Sequence, residues 1–410
     1  MASTSCNELA EQLLAYCLRG ERWPDDLLEK LLTTVCTDAL FRVVVERLAD
    51  LFEPRLCDVY ADMFSGVVAR SVPGLKPQEV RSRYDRVRFP RKFQGDANRV
   101  ETVFVLSRVT LGADVAITSV LLDAAKRRFP RARIVLVGSH KSWELFSADQ
   151  RIARAPMAYR RAGSVHDRLA PCQELRRLLA APNSIIIDPD SRLTQLGLVP
   201  VSPEERYYFF ESRAYGAEGG EPLPVLAAHW ARETFGIDAA SPWIAPAPAE
   251  PVKMPGRPFV TMSFGVGENP AKRIADPFEE ELVSRVAQAG AYLLIDEGAG
   301  GDEAQRVQHA IAKSGAPLKR VHTFRGSFAT FASAIARSDL YIGYDSAGQH
   351  VAAACGVPLL SIFTGFPSPR FFSRWRPFGR GKIEVVKVEE TKPDRVLESA
   401  VESLKALDVL

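Results

Sequence analysis

The sequence predicts an α/β protein with two domains built on parallel sheets, preceded by an all-helical stretch. Three observations carry this. Val103-Phe104-Val105-Leu106 and Ile134-Val135-Leu136-Val137 are short apolar runs separated by a helical pattern, which makes a βαβ unit. A proline-rich segment, SPWIAPAPAEPVKMPGRP at 241–258, is followed by a second series of strands and helices. The first 95 residues instead carry apolar positions at helical spacing. A length of 410 residues agrees with two or three domains rather than one core.

In the helical stretch, Leu9, Leu13, Leu14 and Cys17 share one face, as do Leu27, Leu31 and Leu32. Trp23-Pro24-Asp25-Asp26 reads as a break and a new helix start. Helices fit 38–51 and 54–70, and Pro73-Gly74 closes the run. Residues 81–88, Arg-Ser-Arg-Tyr-Asp-Arg-Val-Arg, read as a solvated linker or helix face; a basic surface for an anionic glycan or a membrane is the alternative. The expected divisions are 1–95 for the helical extension, 96–245 and 246–380 for the two α/β domains, and 381–410 for a C-terminal segment.

In the first α/β domain, strand 103–106 leads through a polar loop to a helix at 114–128, stopped by Phe129-Pro130 before strand 134–138. Strand 184–188 ends in an acid, and the ends of such strands are where ligands sit in open α/β sheets. Asp188, Asp190, Ser191 and Arg192 are therefore acceptor-side candidates. The aromatic run Tyr207-Tyr208-Phe209-Phe210 suits either a core or sugar stacking. In the second domain, strand 259–263 precedes Gly265-Val266-Gly267, and helix 277–289 leads to strand 291–295. The loop Gly298-Ala299-Gly300-Gly301, helices at 302–313 and 328–336, strand 340–343, helix 349–355 and strand 359–363 complete the series. A last helix at 393–407 is expected to cross back to the first domain.

The net charge of +3 is too small to imply a nucleic-acid partner. Six cysteines lie far apart, without C-x-x-C spacing, so no zinc or iron site is readable and a reducing compartment is expected. The N-terminal MASTSCNELAEQLLAYCLRG lacks a basic head followed by an apolar run, so no secretory leader is expected. No apolar run is long enough to span a bilayer.

The segment richest in chemistry runs from Ser338 to Pro358. A buried strand ends in Asp345-Ser346-Ala347-Gly348, followed by His350 and a helix of small residues closed by Gly356-Val357-Pro358. A helix N-terminus offers free N–H groups and a positive dipole end to a phosphate; an Asp or Ser cap on a structural turn is the plainer reading. Upstream, Phe264-Gly265-Val266-Gly267 leads to Lys272-Arg273. In the first domain, Gly112-Ala113-Asp114 opens the helix Val115-Ala116-Ile117-Thr118-Ser119-Val120-Leu121-Leu122.

These motifs resemble glycosyltransferase family 9, the bacterial heptosyltransferases of lipopolysaccharide assembly, over about residues 100–375. Asp345, Ser346, His350, the alanines 352–354 and Gly356-Val357-Pro358 match the family's pattern, and Ala347 stands where the family has Gly. Ala113 likewise replaces a Gly, and Val120 a Pro, in the first-domain motif.

The resemblance implies two facing Rossmann-like domains of GT-B type. It implies donor binding by Lys272, Arg273, Asp302, Glu303, Asp345, Ser346, Ala347, Gly348 and His350, with Asp114 as the base. Asp188 and Arg192 remain the acceptor-side candidates. A helix cap for Asp114, a surface charge for Lys272 and ordinary pairing with the helix dipole for Asp302-Glu303 are the alternative readings.

The chemistry is coherent. An inverting sugar transfer needs one carboxylate to take the acceptor proton and a cationic cradle for the departing diphosphate. No Asp-x-Asp metal motif is readable, since Asp188-Pro189-Asp190 holds a rigid proline, so neither metal nor cofactor is expected.

The expected function is metal-independent transfer of a heptose or hexose from a nucleotide diphosphate sugar, ADP-heptose favoured, to a glycan or lipid-linked glycan. The expected place is the cytoplasm, at the inner face of the membrane. The alternatives are a non-catalytic sugar-nucleotide or glycan-binding module or scaffold, a protein O-glycosyltransferase and a sugar-nucleotide epimerase.

Overall fold

The β-branched and aromatic runs form buried parallel strands. In the computed structural model, which describes residues 5–216, 219–248, 255–267 and 269–409, eleven strands make two sheets. The first sheet contains β1 (Thr102–Leu106), β2 (Arg133–Gly138), β3 (Ile152–Pro156), β4 (Ser184–Asp188) and β5 (Tyr207–Phe209), in the order β3-β2-β1-β4-β5. The second contains β6 (Phe259–Ser263), β7 (Tyr292–Asp296), β8 (Val321–Phe324), β9 (Leu340–Tyr344), β10 (Leu359–Phe363) and β11 (Ile383–Lys387), in the order β11-β10-β9-β6-β7-β8.

All the pairings are parallel; Val103 lies beside Ile134 and Ile185, and Val260 beside Leu293 and Leu340. Each sheet reverses its winding once, between β1 and β4 and between β6 and β9. Ligands of open α/β sheets sit at such switch points, beyond the carboxyl ends of the strands.

The chain divides into two compact units. One holds the residues up to Val109, Leu121–His140 and Arg151–Ala240. In it the helical stretch and the first sheet share a core: Leu13, Tyr60, Phe64 and Val68 join Phe104 and Leu106 of β1, Val135 and Val137 of β2, and Ile186 of β4 in one apolar cluster. The strand residues are alternate ones, so the helices cover one face of the sheet. The helices Cys6–Arg19, Asp25–Leu31, Pro54–Ser71 and Pro77–Val87 supply this layer, with a segment at 37–50 that is π-helical over Leu40–Val45.

Residues 81–88, expected as a solvated linker or helix face, are helical as the second form of that reading has it, but not wholly solvated. They lie mostly within the Pro77–Val87 helix, where Arg83 is buried and donates to the Gly197 carbonyl at 2.9 Å. Buried Tyr84 donates to the Glu211 carboxylate.

The cysteines also depart from expectation in part. Cys17, Cys57 and Cys172 are buried thiols, as their apolar settings predict. Cys6 and Cys36 form a disulfide, which a reading of six reduced cysteines did not anticipate.

The second unit takes in Thr110–Val120, Lys141–Gln150 and the chain from Ser241 onward. The first part of the proline-rich segment is anchored within it: the Trp243 indole donates to Ser119 O at 2.8 Å, and Ala245 exchanges backbone bonds with Leu145 and Ala148. Residues 249–254 of that segment lie outside the described residues.

The last helix, Pro393–Leu407, buries Val396, Ala400, Leu404 and Leu407 in the core of the second sheet. It packs there on the helix Phe278–Gln288 and on β10 and β11 rather than crossing back. Among the described residues, no helix is long and apolar enough to cross a membrane.

Candidate active site

In the second unit the switch point lies between β6 and β9. Asp345 and Ser346 follow β9, and the helix Ala347–Cys355 begins immediately after them. Asp345 is nearly buried and accepts hydrogen bonds from the Lys272 ammonium and from Gln349 Nε2, the latter at 2.5 Å. Gln349 is held in turn by Ser361 Oγ of β10, which donates to its Oε1 at 2.5 Å.

Lys272 also donates to the Asp345 carbonyl at 3.4 Å and lies 5.6 Å from the centre of the Phe371 ring. An ammonium has three donors, so Asp345 occupies two and one is left for a ligand. His350 is buried beside this pair and packs on Trp375 with ring centres 5.9 Å apart. Burial pushes its pKa down to about 4; the Asp345 carboxylate opposes that shift and Lys272 reinforces it.

Two glycines make room for one buried ring. A Cβ on Gly348 would overlap the Tyr341 hydroxyl and stand 2.5 Å from its Cζ, and a Cβ on Gly343 would stand 2.5 Å from the same hydroxyl. Tyr341 of β9 therefore fills the space beneath the helix N-terminus. Gly348 makes room for this ring of the neighbouring strand.

Glu303 is half-buried and Asp302 stands beside it, exposed at the start of the helix Asp302–Ser314. The Glu303 carboxyl occupies the space that a Cβ on Gly265 or on Gly298 would need, and it accepts from the Ala299 N–H at 3.1 Å. It thus lies where the loops after β6 and β7 meet.

Asp296, the last residue of β7, was missed; an acid closing an apolar strand was the available signal, as at Asp188. Burial raises its pKa to about 6, its bond from the Gly298 N–H lowers it, and Glu303 and Glu297 raise it further. Arg273 turns to other partners: its guanidinium pairs with Glu279 at 2.9 and 3.2 Å and with Asp276 at 3.3 Å.

The same unit contains Asp114. It begins a π-helical turn, Asp114–Thr118, is fully buried, and accepts from Thr118 Oγ1 at 2.8 Å. Gly112, two residues earlier, lies against the helix Ala347–Cys355: a Cβ there would be 3.4 Å from Ala347 Cα and from His350 Cδ2. Single π-helical turns are frequent at functional sites.

In the first unit the switch point lies between β1 and β4, where Ser191 Oγ donates to the Ser107 carbonyl at 2.6 Å. Asp188 is buried and accepts from the Ser191 N–H at 2.7 Å, Thr194 Oγ1 at 2.6 Å and the Tyr207 hydroxyl at 2.5 Å. Burial nevertheless raises its pKa.

Asp190 has left-handed backbone geometry, φ 65°, and pairs with Arg108 at 3.3 Å and Arg213 at 3.4 Å. Its pKa is pushed up to about 7, chiefly by burial, with Arg213 opposing and Glu211 reinforcing. Arg192 is half-buried at the start of a short 3₁₀ turn. Tyr207, Tyr208 and Phe209 are core residues of β5.

Beyond the ends of β2 and β3, a cavity of about 540 Å³ is lined by residues that include Ser139, His140, Arg154, Arg160 and Glu174. It too was not readable from sequence.

Residues 205–405 match glycosyltransferase family 9 (heptosyltransferase). No curated protein matches the chain. Among solved structures, a glycosyl transferase family 9 protein from Veillonella parvula is similar with a TM-score of 0.55 at 15% identity, covering 76% of this chain and 100% of its own. E. coli ADP-heptose lps heptosyltransferase II is similar with a TM-score of 0.52 at 18% identity, over 75% and 99% of the two chains. E. coli heptosyltransferase WaaC with ADP-2-deoxy-2-fluoro heptose gives 0.53 at 13% identity, over 75% and 99%.

Proposed function

The chain carries a glycosyltransferase family 9 domain over residues 205–405, and from that premise we propose that it transfers a heptose or hexose from a nucleotide diphosphate sugar to a glycan hydroxyl with inversion. ADP-heptose is the favoured donor, a lipopolysaccharide or other cell-surface glycan the acceptor, and the cytoplasmic side of a membrane the place of action. The structural neighbours that are named for ADP-heptose substrates or ligands support this choice.

The observation that carries the reading is the Lys272–Asp345 pair at the start of the Ala347–Cys355 helix. A nucleotide diphosphate would meet the remaining Lys272 donor and the N–H groups of that helix, which stabilise charge on the leaving group as the sugar bond breaks. His350, neutral above about pH 4, would serve as a hydrogen-bonding group rather than a charge. Glu303 and Asp296 suit the hydroxyls of a ribose. Asp114 would take the acceptor proton.

The reading requires no metal at the reaction centre. The Asp188 carboxylate already holds three hydrogen bonds, and Asp190 pairs with two arginines. The cavity with Arg154, Arg160 and His140 is the proposed place for an anionic part of the acceptor.

One observation favours a second reading, a sugar-nucleotide-binding module without turnover: Asp114 is fully buried. Calorimetry across ADP-, UDP-, GDP- and CMP-sugars, with Asp345→Ala as control, tests the donor site. Binding of one donor that is lost in the variant supports it, and failure to bind any would overturn it. Turnover with that donor and a glycan acceptor then separates the enzyme from the module.

A further inference from the structure

The helices Phe278–Gln288 and Asp302–Ser314 pack side by side on the second sheet. Where they meet, Asp276, Glu280 and His309 bring one ligand atom each to within 4.8 Å of one another. Asp276 and Glu280 are four residues apart, and His309 reaches in from the facing helix. We infer that these three side chains form a binding site for a divalent transition-metal ion of the zinc class, joining the two helices.

The independent observation is Glu280. It is only 7% exposed, and its Oε2 is buried without a hydrogen-bond partner. A carboxylate oxygen withdrawn from water and left without a donor is costly, and buried carboxylates usually coordinate a metal or hold a pair. Its other oxygen, Oε1, lies 3.7 Å from His309 Nε2. That is too long for a hydrogen bond and matches two ligands around one ion, since tetrahedral donors about 2.1 Å from a metal stand about 3.4 Å apart.

Asp276 and His309 are exposed and can close the remaining distance by small rotations. Asp276 also touches Arg273, but that guanidinium keeps its two bonds to Glu279 if Asp276 turns to a metal. Two carboxylates balance a dication, and an imidazole nitrogen favours zinc, cobalt or nickel over magnesium or calcium. Three protein ligands leave at least one position for water. The role is to hold the two helices together, and the proposed sugar transfer does not use it.

The full-length chain, stripped with a chelator, should bind one zinc ion by calorimetry and gain thermal stability on doing so, while magnesium and calcium do neither. Cobalt should bind with a visible spectrum that lacks thiolate charge-transfer bands, which excludes the free cysteines as ligands. Glu280→Gln and His309→Ala should each weaken zinc binding by roughly 10–100-fold or more.

Folding is controlled for in two ways. His309 is on the surface, and Glu280→Gln keeps the shape of a buried group whose Oε2 has no donor to lose, so the metal-free variant should melt no lower than the parent. Absence of stoichiometric zinc binding would overturn the site, and so would undiminished binding in both variants. A lower melting temperature for metal-free Glu280→Gln would show that the carboxylate serves the protein alone, which also overturns it.

Discussion

Lys272 and Asp345, 73 residues apart in sequence, form an ion pair at the amino end of the helix Ala347–Cys355, with the lysine side chain 17% exposed and the aspartate 6%. The aspartate fixes the ammonium where the helix presents its own N–H groups. Lys272→Ala should therefore lower kcat for sugar transfer roughly 100-fold or more, through loss of charge stabilisation on the leaving diphosphate. Lys272→Arg should not restore it, because a planar guanidinium does not replace a compact ammonium in a nearly buried pair. Steady-state kinetics with the donor found by calorimetry checks both.

The Tyr341 ring occupies the space beside Gly348, so Gly348→Ala should destabilise the protein by about 1–3 kcal/mol through overpacking. Tyr341→Phe in the same chain should recover only part of this, since the ring carbon Cζ stands 2.5 Å from the added methyl position. A double-mutant cycle by urea unfolding measures the coupling; strict additivity would contradict the packing described.

Asp296 and His350 make opposite contributions to the pH dependence of stability. The Asp296 pKa is raised to about 6 from 3.8, so the native state holds a proton that the unfolded chain has released, and stability falls as pH rises between about 4 and 6. The His350 pKa is lowered to about 4 from 6.5, so the unfolded chain binds the extra proton, and stability falls as pH drops over about 6.5 to 4. Asp296→Asn should add about 1–2 kcal/mol at pH 7, allowing for partial solvent screening, and the gain should vanish towards pH 4. Melting curves at pH 4, 5.5 and 7 give the sign. If Asp296 also holds the donor, the same variant should bind it more weakly.

The four strands absent from the sequence reading, β3, β5, β8 and β11, are the four sheet edges. Central strands such as β1 and β9 are apolar on both faces and legible as continuous runs. β3, β8 and β11 carry exposed or half-exposed polar residues, such as Arg154, Thr323 and Lys387, and β5 has three residues.

The site followed the same division. Asp345, Lys272 and His350 lie on motifs and were legible. Asp296, the support of Gly348 by Tyr341, and the cavity at Arg154 depend on neighbours that no local pattern brings together. Arg83 and Tyr84 looked like surface residues because their partners, Gly197 and Glu211, are more than a hundred residues away.

Because the helical stretch shares its core with β1, β2 and β4, it is not a removable appendage. A chain lacking residues 1–95 should be aggregated or unfolded, as judged by circular dichroism and size exclusion. Within the intact chain, Tyr84→Phe leaves the buried Glu211 carboxylate without one donor and should cost about 1–3 kcal/mol. A shortened chain that folds and keeps donor binding would refute the shared core.

Asp114 decides between an enzyme and a binding module. It is fully buried, bonded to Thr118 and placed at the start of a π-helical turn, in the compact unit that also holds Lys272 and Asp345. A base in that state must be uncovered before it meets an acceptor hydroxyl, and the irregular turn supplies a place where the helix can adjust. Asp114→Asn preserves size and the Thr118 bond but removes the basic oxygen. Donor affinity should stay within about twofold, while kcat falls about 10²–10⁴-fold, the range for loss of a positioned general base. Unchanged kcat in Asp114→Asn would make the residue a structural helix start and move the proton transfer elsewhere; donor binding without turnover in the parent chain would favour the module.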